Sequence, residues 1–87
     1  MNLTSIENKD EIQVYPNPTT GRFTIDLGAL TEEVNLSIYN LHGQLLEDQN
    51  FYHQKQISLR LDFPPAVYLL KIRKGAAAAK ILKLIKN

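Results

Sequence analysis

Few side chains in this 87-residue chain are arranged in a way that could carry out chemistry. The only histidines, His42 and His53, lack the HxH or HExxH spacing that helps to gather the three or four ligands of a metal site. Adjacent carboxylates occur twice, at Glu32 with Glu33 and at Glu47 with Asp48. Neighbours on a strand point to opposite faces, whereas a glycosidase needs two carboxyls facing across a cleft. We therefore predict solvated side chains at all of these positions.

Nucleophile and cofactor motifs are also missing from the sequence. No serine lies in a GxSxG elbow, and neither GxGxxG nor a P-loop occurs. The absence of cysteine excludes disulfides, thiolate metal sites and thiol nucleophiles. Ten basic and nine acidic residues give a net charge of +1, which provides no electrostatic reason to expect nucleic acid. The sequence predicts a protein that is not an enzyme, with no cofactor, no small-molecule substrate and no nucleic-acid partner.

Two sets of side chains could instead form binding surfaces. Tyr15, Tyr39 and Tyr52 could line a sugar-binding or peptide-binding face, although such aromatics more often pack in cores or across strands. Lysines recur every three residues near the end of the chain, at positions 80, 83 and 86. They form either a solvated stripe or a terminal signal that is displayed to a receptor.

A stiff corner at residues 15–21, with the sequence YPNPTTG, organises the elements that must position these residues. Pro16 and Pro18 each fix φ and lack an N–H, and Gly21 can adopt a positive φ. The corner separates an alternating segment at 12–15 from another at 22–27. We therefore expect a chain reversal between two strands.

Alternation of apolar and polar residues predicts about seven short strands. They cover residues 12–15, 22–27, 34–39, 44–52, 57–61 and 67–73, with a last strand within 76–87. Connections are expected at 28–33, 53–55 and 74–75, and Gly43 is expected to supply the left-handed residue of a turn at 40–43. Four alanines make a helix the alternative for the last segment. A strand is preferred because the segment is short and follows a hairpin signal.

The fold class that this pattern favours is all-β, an immunoglobulin-like antiparallel β-sandwich of about seven short strands. A closed barrel is the alternative. One domain is expected over residues 12–87, preceded by a linker or N-terminal extension over residues 1–11. The first residues have neither a basic nor an apolar signal-peptide region. Because Met1 directly precedes this linker, we expect the chain to be a piece of a larger protein.

Four blocks of the sequence resemble, in order, the C-terminal sorting domains of type IX secretion. Residues 14–25 (VYPNPTTGRFTI) are similar to the opening motif of that family. The others are residues 36–45 (LSIYNLHGQL), 65–72 (PAVYLLKI) and 80–84 (KILKL). The chain departs from the pattern at Ala66, where the family usually has glycine, and at the alanine run 76–79, which is normally more polar.

The resemblance implies a secretion signal for a cargo protein that crosses the outer membrane through the type IX system. Partners would be the outer-membrane machinery with its cargo-shuttle protein, and a sortase-like peptidase that cuts before residue 12, often with anchoring of the cargo to lipopolysaccharide. The protein would be exported, passing the periplasm on its way to the cell surface or the extracellular space. The alternative is an immunoglobulin-like adhesion or carbohydrate-binding accessory module.

The resemblance also implies roles for individual residues. The structural motif residues would be Pro16, Asn17, Pro18, Gly21, Gly43 and Tyr68. The residues recognised by a partner would be Lys80, Ile81, Leu82, Lys83, Leu84 and Lys86. Recognition could occur by strand addition to the terminal strand, whose edge we expect to be uncovered because nothing follows it. A monomer is expected, with pairing of two terminal strands as the alternative.

Overall fold

The computed structural model describes residues 11–87 and folds them into one curled antiparallel sheet. Its strands are β1 (Gln13–Tyr15), β2 (Arg22–Tyr39), β3 (Leu45–Arg60), β4 (Ala66–Lys74) and β5 (Lys80–Lys86). The prediction of an all-β domain is confirmed. Within the described residues, no helix is long and apolar enough to cross a membrane.

The longest strand, β2, lies at the centre of the sheet. Its first half pairs with β1, its second half pairs with β4, and β3 pairs along its other side through both halves. β4 lies between β2 and β5, so it is paired on both sides. β1 pairs with β2 alone, as expected for an edge strand.

Two long strands replace four of the short strands that the sequence predicts. β2 runs through residues 28–33 and β3 runs through residues 53–55, so the loop and the turn predicted there are wrong. The pairing of these strands shifts register between Asp26 and Thr31, and His53 on β3 has a φ of 56°. Extra residues at such a shift bend a strand without ending it. The described chain thus has five strands rather than about seven, and the immunoglobulin-like sandwich stays a prediction.

One face of the curled sheet forms the core. Both halves of β2 contribute to it, because the bend turns their inner faces toward the same interior. The buried apolar side chains are Ile12, Phe23, Ile25, Leu27, Val34, Leu36, Ile38, Ile57, Leu61, Tyr68, Leu70, Ile72 and Leu84. The alternation predicted for the strand after residue 66 is confirmed, with its even-numbered side chains inward. Each fully buried Leu or Ile contributes about 1.5–3 kcal/mol relative to an exposed one.

The turn between β2 and β3 has the predicted chemistry. Gly43 has a φ of 84°, and its N–H donates to the carbonyl of Asn40 at 3.0 Å. The carboxamide oxygen of Asn40 accepts the N–H groups of His42 and Gln44. Asparagine thus caps a reversal that glycine makes possible, as turn chemistry requires.

The last segment is a strand, and the alternative of a helix is wrong. β5 pairs with β4 over seven positions, from Lys80 opposite Ile72 to Lys86 opposite Ala66. This pairing directs Leu84, which has no exposed surface, into the core. Burial of that side chain against the sheet outweighs the helix propensity of the preceding alanines.

Candidate functional site

The corner that follows β1 lies against the last residues of the chain. The Thr19 N–H donates to the carbonyl of Ile85 at 2.8 Å, and the Asn87 N–H donates to the carbonyl of Thr19 at 2.9 Å. Thr19 and Lys86 thereby form a parallel bridge outside the five strands. Two motifs at opposite ends of the sequence meet in the fold.

Asn17 extends this contact through its side chain. Its Nδ2 donates to the carbonyl of Lys83 at 2.7 Å, and its Oδ1 accepts the N–H of Ile85 at 2.9 Å. A carboxamide carries the same donor and acceptor as a peptide group. Pro16 and Pro18 have no N–H to offer a ladder, so the side chain between them supplies the pairing instead. We call Asn17 and Thr19 the clamp. The peptide bonds before both prolines are cis.

Buried hydrogen bonds hold Thr19, one of the two clamp residues, in position. The residue is 1% exposed, and its Oγ1 donates to the carbonyl of Arg22 at 2.6 Å while it accepts the N–H of Gly21 at 3.0 Å. Gly21 has a φ of 150°, which side chains rarely tolerate, and its carbonyl accepts the N–H of Leu61 at 2.8 Å. The glycine of the motif therefore ties the corner to the end of β3.

The clamp covers half of the outer edge of β5, so the expectation of an uncovered terminal strand is wrong for that half. The atoms it contacts belong to Lys83, Ile85 and Asn87. Main-chain groups of alternate residues point to the same side of a strand. The N–H and C=O of Ile81 and the N–H of Lys83 must therefore point outward too, and no other residue among 11–87 accepts from or donates to them.

The residues predicted for partner recognition separate into two groups. Lys80, Ile81 and Lys83 are exposed, and Ile81 shows 62% of its surface. Leu82 is half-buried against the core, and Leu84 is fully buried. The exposed group lies on the uncovered half of the edge, while Leu84 anchors the strand.

The three lysines of the predicted stripe do not share one environment. A spacing of three on a strand places Lys80 and Lys86 on one face and Lys83 on the other. Lys86 is half-buried, and its Nζ donates to the carbonyls of Leu61 and Phe63 at 2.8 and 2.6 Å. This lysine fastens the end of β5 to the segment that follows β3.

Tyr68, the motif residue of β4, is a core side chain. It is 3% exposed, its ring lies 6.1 Å from that of Phe63, and its hydroxyl donates to the carbonyl of Pro64. Ala66, where the family usually has glycine, forms an ordinary strand pair with Lys86. Alanine therefore fits this position without a positive φ.

The side chains that could carry chemistry gather only in part. Glu32, Glu33, Tyr52 and His53 line an open groove of about 1000 Å³ beside the bend of β2, whereas His42 lies in the turn after β2. Within residues 11–87, no group of three or more histidines and carboxylates is placed to hold a metal ion.

The three candidate tyrosines do not form one surface. Tyr39 pairs with Leu45 and Tyr52 pairs with Glu33, which separates them by six residues, or about 20 Å, along β2. Tyr15 lies on β1, and its hydroxyl accepts a hydrogen bond from the side chain of Gln56.

The sequence interpretation missed the roles of Thr19 and Lys86. A threonine between proline and glycine carries a weak signal for burial, because it also suits an exposed turn. An asparagine between two prolines carries a stronger signal for a structural role. Its carboxamide is the local group best able to continue the hydrogen-bond ladder of a sheet. The partner strand of that ladder could not be read from the spacing.

Fold and site together define a small all-β domain whose terminal strand is anchored by Leu84 and covered along half of its outer edge. Among family models, that of the secretion system C-terminal sorting domain matches residues 13–87. The chain belongs to this family, whose members act as type IX secretion signals rather than as catalytic domains. Membership implies export through the outer membrane to the cell surface or the extracellular space. No curated protein matches the chain in sequence.

Proposed function

We propose that residues 12–87 act as a folded address for a cargo protein, read by the type IX machinery at the outer membrane through β5. The observation that carries this proposal is the position of β5, which is anchored by Leu84 and the clamp but exposes Lys80, Ile81 and Lys83. The exposed residues are therefore presented to a receptor in one fixed geometry. An exposed strand edge is a recurrent recognition element for such a receptor.

The residues of the opening motif act within this proposal as supports. Asn17 and Gly21 hold the corner against β5 and β3, and Tyr68 holds the segment before β4. A tyrosine hydroxyl bonded to the main chain a few residues upstream also occurs in immunoglobulin-type sandwiches, which supports that description of the fold. Loss of a support would weaken the signal by releasing β5.

The remaining steps are proposed from the resemblance to the family. A cargo-shuttle protein accepts the domain after translocation, and a sortase-like peptidase cuts in the linker before residue 12. The cargo is then released or joined to lipopolysaccharide at the cell surface. The domain itself carries out no reaction.

The test is a fusion of the whole chain to a periplasmic reporter in a strain with an active type IX system. Reporter on the cell surface or in the medium is expected, and its retention in a strain without the system is the matched control. Retention in the competent strain would overturn the proposal, provided that a second fusion with polar residues at 76–79 is also retained.

A second candidate function is a carbohydrate-binding accessory module. The groove beside the bend of β2 favours it, because Tyr52, Glu32 and Glu33 place an aromatic ring near carboxylates. Binding on a glycan array that disappears in Tyr52→Ala, but not in Tyr39→Ala, would support this function. Absence of binding together with export of the reporter would exclude it.

A further inference from the structure

We propose that the uncovered half of the β5 edge, from Lys80 to Lys83, is the docking position for an extended acidic strand of the receptor, and that the clamp sets where this strand must end. This inference rests on the proposed function and names the partner's chemistry. It starts from the three outward main-chain groups of Ile81 and Lys83 that have no partner among the described residues.

The clamp limits the length of the added strand. Beyond the Lys83 N–H, every outward group on β5 is taken, since Asn17 and Thr19 bond to Lys83, Ile85 and Asn87. A partner strand can therefore form about three main-chain hydrogen bonds before it meets the corner. This edge recognises a short segment in one register, whereas an open edge would accept several.

The charge of the neighbouring strands selects the partner. β4 and β5 carry three basic residues each and no acidic residue, so six of the ten basic residues of the chain lie on this hairpin. Lys80 and Lys83 are exposed beside the free main-chain groups, and Lys71 lies opposite Ile81 on β4. Carboxylates on an incoming strand would pair with these cations.

The same charges disfavour a second copy of the chain as the occupant. Two β5 edges brought together would place Lys80 and Lys83 of each copy beside those of the other. Like charges across neighbouring strands are destabilising. The exposed isoleucine at position 81 shares a face with Lys83, whereas Lys80 lies on the other face. The segment that fits best therefore carries carboxylates on both of its faces and an apolar residue beside Ile81.

The first test separates main-chain recognition from side-chain recognition in the exported fusion. Ile81→Pro removes the outward N–H, which the β4 ladder does not use, and Ile81→Val keeps it. Export is expected to fall roughly tenfold in the proline variant, as for the loss of one well-formed hydrogen bond, and to stay unchanged in the valine variant. Thermal unfolding of both purified proteins identifies any loss of fold.

The second test addresses charge. The double variant Lys80→Glu/Lys83→Glu changes exposed side chains only and is expected to reduce export at least as strongly, whereas Lys55→Glu on β3 leaves export unchanged. If the wild-type fusion is exported and the charge variant is exported equally well, this inference is overturned while the proposed function stands. If the wild type is retained in the cell, the proposed function itself fails.

A direct measurement uses an eight-residue synthetic peptide that repeats glutamate, glutamate and valine, which places carboxylates on both faces of the strand. Its addition to the isotope-labelled protein is expected to shift the amide signals of Ile81 and Lys83, and the same peptide with lysine in place of glutamate is expected to leave them unchanged. Equal shifts with both peptides, or shifts confined to β3, would contradict docking of an acidic strand at this edge. A dimer in sedimentation that dissociates in the Ile81→Pro variant would identify a second copy as the occupant instead.

Discussion

The two long outer edges of the sheet, on β3 and β5, are protected from unwanted pairing in different ways. β3 pairs with β2 alone over its whole length and is rich in polar residues, notably at 47–50 and 53–56. β5 is less than half as long and has lysine at every third residue, with leucine and isoleucine between. The corner covers half of its outer side.

The difference shows why the corner has to reach the end of the chain. Polar side chains can protect an edge strand that contributes little to the core. β3 is such a strand, because Ile57 is its only buried core residue. β5 must bury Leu84 and half-bury Leu82, so it has fewer positions for polar side chains. Distant residues cover half of the edge, and the other half is the surface that we propose for recognition.

The largest expected effect tests whether β5 is anchored from inside. Leu84→Ala should lower the free energy of unfolding by about 2–5 kcal/mol, because a fully buried leucine leaves a cavity. Urea denaturation measures the loss. The matched control is Ile81→Ala on the same strand, where an outward side chain should cost no more than about 0.5 kcal/mol. Similar losses in both variants would contradict the assignment of the two faces.

The next effect tests the clamp. Asn17→Ala removes two hydrogen bonds to β5 and should cost about 1–3 kcal/mol, at roughly 0.5–1.5 kcal/mol for each. Hydrogen exchange should speed up at the Ile85 amide and stay unchanged at Ile81. Asn17→Asp keeps the acceptor for Ile85 but loses the donor to Lys83, and should protect the Ile85 amide better than alanine does.

The comparison for this prediction comes from the other edge. Asn50→Ala on β3 removes one exposed hydrogen bond to Asn35 and should cost about 0.5–1 kcal/mol. A cost equal to that of Asn17→Ala would show that the corner protects β5 no more than polar side chains protect β3.

A smaller effect separates the lysines of β5. Lys86→Met leaves the carbonyls of Leu61 and Phe63 without their ammonium donor and should cost about 1–2 kcal/mol. Lys83→Met, on the opposite face, should stay within about 0.5 kcal/mol. Equal melting temperatures for the two variants would show that the bonds of Lys86 contribute nothing.

The smallest effect on stability concerns β3. Glu47→Val combined with Lys55→Val removes two of the four charged side chains of the edge strand β3, so the free energy of unfolding should change by less than about 0.5 kcal/mol. Self-association should nevertheless increase, because the edge loses residues that discourage pairing. Sedimentation velocity over a range of concentrations measures this, with the wild type as the reference. A monomeric double variant would show that the remaining polar residues suffice.

Local patterns in the sequence determined much of this protein. Alternation identified most of the residues that form strands, although not those at 28–33 and 53–55, and Asn40 with Gly43 specified a turn that the structure contains. The PxPxxG corner and three later blocks indicated the family. These features depend on neighbours within a few residues, which is the range over which backbone sterics and side-chain periodicity act.

The tertiary structure alone decided which distant segments of the chain pair with each other. The bend at residues 28–33 reads as a loop because glycine and polar residues interrupt the alternation, yet pairing to β3 resumes after the register shift and keeps β2 continuous. The side chain of Asn17 bonds to Lys83 and Ile85, which lie 66 and 68 positions further along the sequence. No local pattern identifies these partners of its carboxamide. A main-chain N–H or C=O can form a hydrogen bond with any strand or side chain of suitable geometry. Only the folded sheet therefore determines which partner each group has.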